Sequence, residues 1–506
     1  MDTIRIRNFR SIVDSKELKL SKLNFLVGKN SSGKSSFLRV FPMFKESSKH
    51  ELRGPLLWFD EDYDFGNFHN ALNRSVSSEE GIVFNFEWAY NPPQREKDEI
   101  FFDNHVFRRE TIVKVELTVD ASGESSFLKR LSITTKDKKE THSLMLVSDS
   151  ALESTLISVD EQKLKHLFFY WDYSSKGVLP RLVVRESQSL YRRAKDLTKA
   201  ILKLDKEEAN YFFLYDSDSR LYSTEDVVKR LNRVYDKKQG GIDVNSDSFI
   251  ELKEIFSYQY VNSVVGYVND YLSDYFGNTY YITPLRYNYS RFMRNRELAV
   301  DYIESTGKNV MEYYLSLTRD ERKIFNRFLK DTIEVTMDVS GDVNNSIVVT
   351  DSNGASDNIV DVGYGISQVL PIATTLWDRA YKTKRLETDT IVIEQPEVHL
   401  HPAMQKSLAR LFVKGLELAD NRGKKLVLIV ETHSSALINQ IGKCIYYSGS
   451  KEQMKRLGLI SEDIDSIPRD DVSLFLFSKK DGITEITRTQ YTDSGEIAAW
   501  PIGFLG

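Results

Sequence analysis

The apolar positions change period along the first forty residues. Thr3-Ile4-Arg5-Ile6-Arg7 alternates, as a half-buried strand does. Leu23 to Val27 reads as a short apolar strand, and Ser36 to Phe44 as the start of a helix. That rhythm then stops. From about Gly81 to Val147 come short β-rich runs: Ile82 to Trp88, Thr111 to Val119, Phe127 to Thr134 and Ser143 to Val147. Turn residues such as Ala121-Ser122-Gly123 separate them, which predicts an antiparallel sheet. Between Ser187 and Tyr275 the period becomes helical. Leu190, Ala194, Leu197, Ile201 and Leu204 form one apolar stripe with Lys and Arg between them. The stripe lasts barely two heptads, so a bundle core is expected rather than a coiled-coil arm. Gly240-Gly241 reads as a surface loop. Tyr258, Tyr260, Tyr267, Tyr271, Tyr275 and Phe276 are read as aromatic packing, with a base-stacking surface as the alternative.

After about Asp357 the βα rhythm returns. A helix follows Ser367, then come the strand Thr390 to Ile393, a helix from Ala403 to Ala419 and the strand Lys425 to Val430. Val472 to Phe477 and Gly482 to Ile486 close the pattern with two more β runs. The expected class is α/β: one split head domain, with an antiparallel β lobe and a large, mainly helical insertion between its halves. The expected segments are 1–80 for the N-terminal part of the head, 81–185 for the β lobe, 186–335 for the insertion and 336–506 for the C-terminal part.

Composition narrows the class only modestly. The 506 residues are 41% hydrophobic and 28% charged, with a net charge of −5, which argues against bulk coating of nucleic acid. One cysteine, Cys444, excludes an intramolecular disulfide and a Cys-rich zinc site. No apolar run approaches the roughly 18–20 residues needed to span a bilayer. The chain opens on a strand pattern rather than a signal peptide, so a soluble, cytoplasmic protein without a membrane partner is expected.

The strongest chemical signal is Gly28-Lys29-Asn30-Ser31-Ser32-Gly33-Lys34-Ser35, which matches G-x-x-x-x-G-K-[ST] at every fixed position, with Ser36 continuing into the helix. Gly28 and Gly33 permit a tight curl whose N–H groups face a phosphate. Lys34 can reach the β- and γ-phosphates, and Ser35 can ligate Mg²⁺. Later motifs supply acids. Thr390-Ile391-Val392-Ile393-Glu394-Gln395-Pro396-Glu397 is an apolar strand ending in carboxylates, the pattern of a Walker B element. Val427 to Val430 runs into Glu431-Thr432-His433-Ser434, again a strand ending in polar residues. Strand tips at the carboxyl edge of a parallel sheet converge on a ligand. His399 and His401 lack a third ligand nearby in sequence, so no zinc site is expected. Asp64 to Phe68 is read as a loop or, in the family resemblance drawn below, as the segment at the Q-loop position. Arg286, Arg291, Arg294 and Arg296, interleaved with Tyr287, Tyr289 and Phe292, are read as partner-facing charge or a phosphodiester-contacting strip.

With these pieces the chain resembles the ABC/SMC-like ATPases of the AAA type, in the branch that includes the overcoming-lysogenization-defect family. The resemblance rests on Ile6 to Ser11, the phosphate loop, Val362 to Pro371, the Glu394 to Pro402 block and Glu431-Thr432-His433. Pro284-Leu285-Arg286, Gly495-Glu496-Ile497 and Trp500 to Phe504 look like the Septu-type and retron-associated (PtuA-like) ATPases of bacterial antiphage modules. The resemblance implies ATP and Mg²⁺ as cofactors and a homodimer of heads, or a higher homo-oligomer, that sandwiches the nucleotides. It implies Ser35 and Glu394 at Mg²⁺, Gln395 in the catalytic glutamate's place and His433 at the γ-phosphate. A signature segment, Gly363 to Gln368, would face the phosphate loop of the second copy through Gly363, Gly365, Ser367 and Gln368.

Two departures bear on rate. Gln395 cannot accept a proton as a carboxylate can, which leaves Glu397 as an alternative base and predicts slow or partner-gated hydrolysis. Gly363 stands where the family's signature serine would be, leaving Ser367 as the substitute. The stretch after His433 is too short for the Toprim nuclease domain of the longer relatives, so no intrinsic nuclease is expected. The implied role is a sensor or scaffold that controls a separate effector of the HNH nuclease kind, with a retron reverse transcriptase and its RNA or DNA as further partners. The competing reading is a DNA-binding repair or recombination ATPase of the SMC/RecF kind.

Overall fold

A computed structural model describes residues 1–77, 80–92, 106–107, 109–150, 155–184, 187–203, 223–235, 241–294, 300–341, 344–362, 364–382, 388–456 and 464–498. Leu204, Gly240, Arg296, Gly363 and the segment 500–504 lie outside them. The chain divides into two units. The first comprises Met1–Phe9, Glu46–Trp58 and Phe65–Asp274; the second comprises Arg10–Lys45, Phe59–Asp64 and Tyr275–Gly506.

In the first unit an antiparallel sheet runs in chain order from Ile82–Tyr90 through Thr111–Ser122, Ser125–Lys136, Thr141–Val147 and Leu156–Val159 to Gln162–Lys163. Thr3–Phe9 pairs antiparallel with Ile82–Tyr90, and its alternation buries Ile4 and Ile6 completely. A 31-residue helix, Asp247–Gly277, was not delimited by its sequence period, because apolar and aromatic residues occur on nearly every side of it. Its tyrosines serve packing. Tyr271 stacks on Trp88 with centroids 4.0 Å apart, and the Trp88 indole donates to the Tyr267 hydroxyl at 3.1 Å. The predicted stripe lies on the helix Ser187–Leu202, where Ala194 and Leu197 join Val227, Leu231, Phe249, Leu252, Ile255 and Phe256 in one apolar core.

The second unit is built on a six-stranded sheet. Its strands are β1 (Leu23–Gly28), β2 (Thr279–Ile282), β3 (Thr388–Glu394), β4 (Lys425–Thr432), β5 (Val472–Lys480) and β6 (Ile483–Thr489). They lie in the order β2-β3-β4-β1-β5-β6, parallel except for the β5–β6 hairpin. All of β1 is buried, as expected of a parallel strand covered on both faces. Helices α1 (Lys34–Leu38), α2 (Tyr364–Trp377), α3 (Pro402–Asn421) and α4 (Ser435–Arg456) belong to the same unit.

Several boundaries shift from the sequence expectation. The helix after the phosphate loop starts at Lys34, two residues early, and breaks at Arg39 before resuming over Val40–Lys49. The helix expected after Ser367 begins at Tyr364, so Gly365, Ser367 and Gln368 lie within its first turns. The short β2 escaped detection because only four residues carry it. No described helix is long and apolar enough to cross a membrane.

Candidate nucleotide site

Four strand tips and the loop after β1 build the site. The loop leaves β1 at Gly28, where a side chain would collide with the Phe477 carbonyl: an added Cβ would sit 2.1 Å from its oxygen. Gly33 closes the loop at φ +99, a conformation that favours glycine. It lies against Thr484 of β6, whose hydroxyl donates to the Ser32 carbonyl at 2.8 Å and shares a 2.8 Å bond with Ser11. The distant end of the chain thus holds the phosphate loop in shape.

The register then aligns the acids. Glu394, the last residue of β3, pairs with Glu431 on β4, and Glu431 pairs with Leu26 on β1. Both glutamates are buried. Lys34 donates to the carbonyls of Gly28 at 3.0 Å and Lys29 at 2.9 Å, and its ammonium lies 3.8 Å from Glu431. Burial lowers the Lys34 pKa, opposed by Glu431, Glu397 and Glu394 in that order. The Ser35 hydroxyl bonds both Glu431 oxygens, at 2.8 and 3.0 Å. Burial, reinforced by Glu394 and opposed by Lys34, pushes Glu431 up to about 7.

Glu394 is engaged elsewhere. The Arg39 guanidinium grips it through two bonds, at 3.0 and 2.8 Å, and the Tyr281 hydroxyl donates to it from β2. Burial works against the charge on Arg39, yet Glu394 more than offsets it and raises the pKa. Arg286 donates to the Glu394 carbonyl at 3.2 Å, and burial lowers its pKa to about 10, so it remains a cation at neutral pH. Its Nε and Nη1 are buried without a hydrogen-bond partner.

Gln395 turns away from the strand at φ +44, with its N–H bonded to the Glu431 carbonyl at 2.9 Å. Glu397 accepts from the Thr432 hydroxyl at 2.9 Å and from the His433 N–H at 2.6 Å, so its carboxylate braces the β4 tip. Burial raises the Glu397 pKa. Burial and then Lys34 lower His433 to about 4, so its imidazole is neutral at physiological pH. His401 caps α3, its Nδ1 accepting from Ala403 N–H at 3.3 Å; His399 takes a left-handed turn at φ +63. Among the described residues no group of three or more His, Cys, Asp or Glu is placed to hold a metal ion.

The structure therefore brings Lys34, Ser35, Glu394, Gln395, Glu397 and His433 together at one sheet edge. It also adds Arg39, Tyr281, Arg286, Glu431 and Thr484. Glu431 carried a sequence signal, since its apolar strand ends in a carboxylate just as the Glu394 strand does. Arg39 and Tyr281 carried none. In the signature segment Ser367 and Gln368 face inward, 8% and 3% exposed. The arginine strip separates: Arg286 is buried at the site, whereas Arg291 makes a surface pair with Asp361 at 2.6 Å. In the Asp64 to Phe68 segment, Asn67 caps the short helix Phe68–Ala71.

The donor set suits a phosphorylated ligand. The Ser32 hydroxyl and His433 Nε2 are buried without partners, and the Lys34 ammonium spends its hydrogen bonds on loop carbonyls. The first two are costly to leave unpaired, and a hydroxyl, an imidazole N–H and an ammonium are groups from which phosphate oxygens accept.

The AAA ATPase domain profile matches residues 1–438. No curated protein matches. Among solved structures, the SMC head domain from Thermotoga maritima aligns at 8% identity and a TM-score of 0.33, covering 96% of this chain and 98% of that one. A Smc head domain with an extended coiled coil, bound to the C-terminal domain of ScpA and derived from Pyrococcus furiosus, aligns at 9% identity and a TM-score of 0.31 over 97% and 96%. A Smc head domain with a coiled coil and joint, from Pyrococcus yayanosii, aligns at 10% and 0.33 over 98% and 97%.

Proposed function

The chain belongs to the AAA ATPase domain family, and from that premise we propose that it binds Mg²⁺·ATP at the β1–β4 strand tips and hydrolyses it slowly. One observation carries this reading: Lys34 and Ser35 sit against the buried Glu431 carboxylate at the tip of the neighbouring strand β4. The loop from Gly28 to Ser36 would hold the phosphates, and His433 would meet the terminal one. Bound Mg²⁺ would supply charge neutralisation to the phosphates. Gln395 offers an amide where a base is needed, and Glu397 is occupied in bracing Thr432 and His433, which supports slow or partner-gated turnover.

On this reading ATP holds two heads together, with Gly363 and Gly365 of one copy facing the nucleotide of the other, while Ser367 and Gln368 are buried within their own copy. The lobes over 81–335 engage a separate effector of the HNH nuclease kind within an antiphage system of the Septu or retron type. The sequence motifs shared with those ATPases support the role, and the net charge of −5 supports a protein partner over bulk DNA binding.

Purification of the tagged chain with its neighbouring gene products, paired with a phage plaque assay, tests the role. A nuclease should copurify, and Lys34→Ala should abolish protection. Steeply salt-dependent duplex binding by the chain alone, with no copurifying effector, would instead identify a DNA-repair ATPase.

A further inference from the structure

The group that the Ser35 hydroxyl touches is Glu431, one strand closer to the phosphate loop than the Walker B residue Glu394. Its separations from the two carboxylate oxygens are 2.8 and 3.0 Å. Mg²⁺ holds oxygens at about 2.0–2.1 Å in an octahedron, which places adjacent ligands on the order of 2.9 Å apart. Ser35 and Glu431 are thus already spaced as neighbouring ligands of one cation. Lys34, 3.8 Å from Glu431, keeps the same carboxylate beside the phosphate-binding ammonium.

Glu394 is differently placed. Arg39 takes both of its oxygens in a fork, and Tyr281 donates to one of them. Its charge is balanced without a metal, and binding one would require breaking a bidentate guanidinium pair. The register adds distance, because β3 is separated from β1 by β4, and neighbouring strands lie about 4.8 Å apart. Mg²⁺ in nucleotide sites needs only one or two carboxylates, completed by water and phosphate oxygens.

We infer that Glu431, together with Ser35, is the carboxylate partner of the nucleotide's Mg²⁺, and that Glu394 is a positioning residue clamped by Arg39 and Tyr281. The inference rests on the ATP reading above. It also accounts for an acid at the tip of β4, a position that the phosphate loop and the Walker B strand do not themselves require.

The test is ADP affinity as a function of free Mg²⁺, for the wild type, Glu431→Gln, Glu431→Asp and Glu394→Gln. With Gln at position 431, the Mg²⁺ needed for half-maximal enhancement, measured against each variant's own affinity in EDTA, should rise at least about tenfold. Asp, a carboxylate on a shorter arm, should recover part of the loss and shows that position 431 tolerates change. Wild-type Mg²⁺ dependence in Glu431→Gln, or a shift confined to Glu394→Gln, overturns the inference. A wild-type chain that binds no nucleotide at any Mg²⁺ concentration overturns the ATP reading itself.

Discussion

Replacing Thr484 with valine measures how firmly the far end of the chain holds the phosphate loop. The Thr484 side chain is buried, donates to the Ser32 carbonyl at 2.8 Å and accepts from Ser11 at 2.8 Å. Valine preserves the shape and removes both bonds. At about 1 kcal/mol net for each bond, the loss is about 2 kcal/mol. Ser32 is part of the loop, so much of that loss should appear as weaker ligand binding, where about 1.4 kcal/mol corresponds to a tenfold change. Titration with a fluorescent ATP analogue in Mg²⁺ should show affinity reduced by about tenfold or more, with the melting temperature lowered by a few degrees at most. Thr484→Ser retains the hydroxyl and should bind nearly as the wild type does. Wild-type affinity in the valine variant would refute the brace.

Arg39→Met strips the fork from a buried Glu394; because Arg39 is about one-third exposed, the cost in urea unfolding should be about 1–3 kcal/mol, below that of a fully buried pair. An unchanged midpoint would mean that Tyr281 alone satisfies the carboxylate. Burial, aided by Asp465, pushes the Cys444 thiol up to about 12, so a thiol reagent at pH 8 should label it only after denaturant is added. Rapid labelling of the folded chain would contradict its burial. Gly442→Ala would set a Cβ 2.1 Å from the Gly495 carbonyl oxygen, backbone that cannot rotate aside, and should lower stability by about 1–3 kcal/mol or more. A melting temperature equal to the wild type's would show that the two segments separate freely.

The nucleotide-binding half of the fold was legible because its signals are local. Apolar strands ending in Gly28, Glu394 and Glu431 mark themselves by composition, and the phosphate loop by spacing. What stayed hidden depends on register and distance. Tyr281 reaches Glu394 only because four residues, Thr279–Ile282, add a parallel strand beside β3. Thr484 reaches the loop only because the β5–β6 hairpin lies beside β1. Arg39 sits where the first helix breaks, and nothing in its neighbours predicts a partner 355 residues away. The same limit governs the acids: sequence ranks Glu394 first by motif, whereas side-chain geometry sets Glu431 against Ser35.

On the proposed reading, the two distant halves of the chain form one ATP site around Lys34 and Ser35. Equilibrium binding of Mg²⁺·ATP to the purified wild type and Lys34→Ala tests it most directly. Binding should be saturable in the wild type and weaker by at least about tenfold in the variant, since a charge-assisted contact is worth about 1.5–3 kcal/mol. Equal affinity in the two proteins would contradict it.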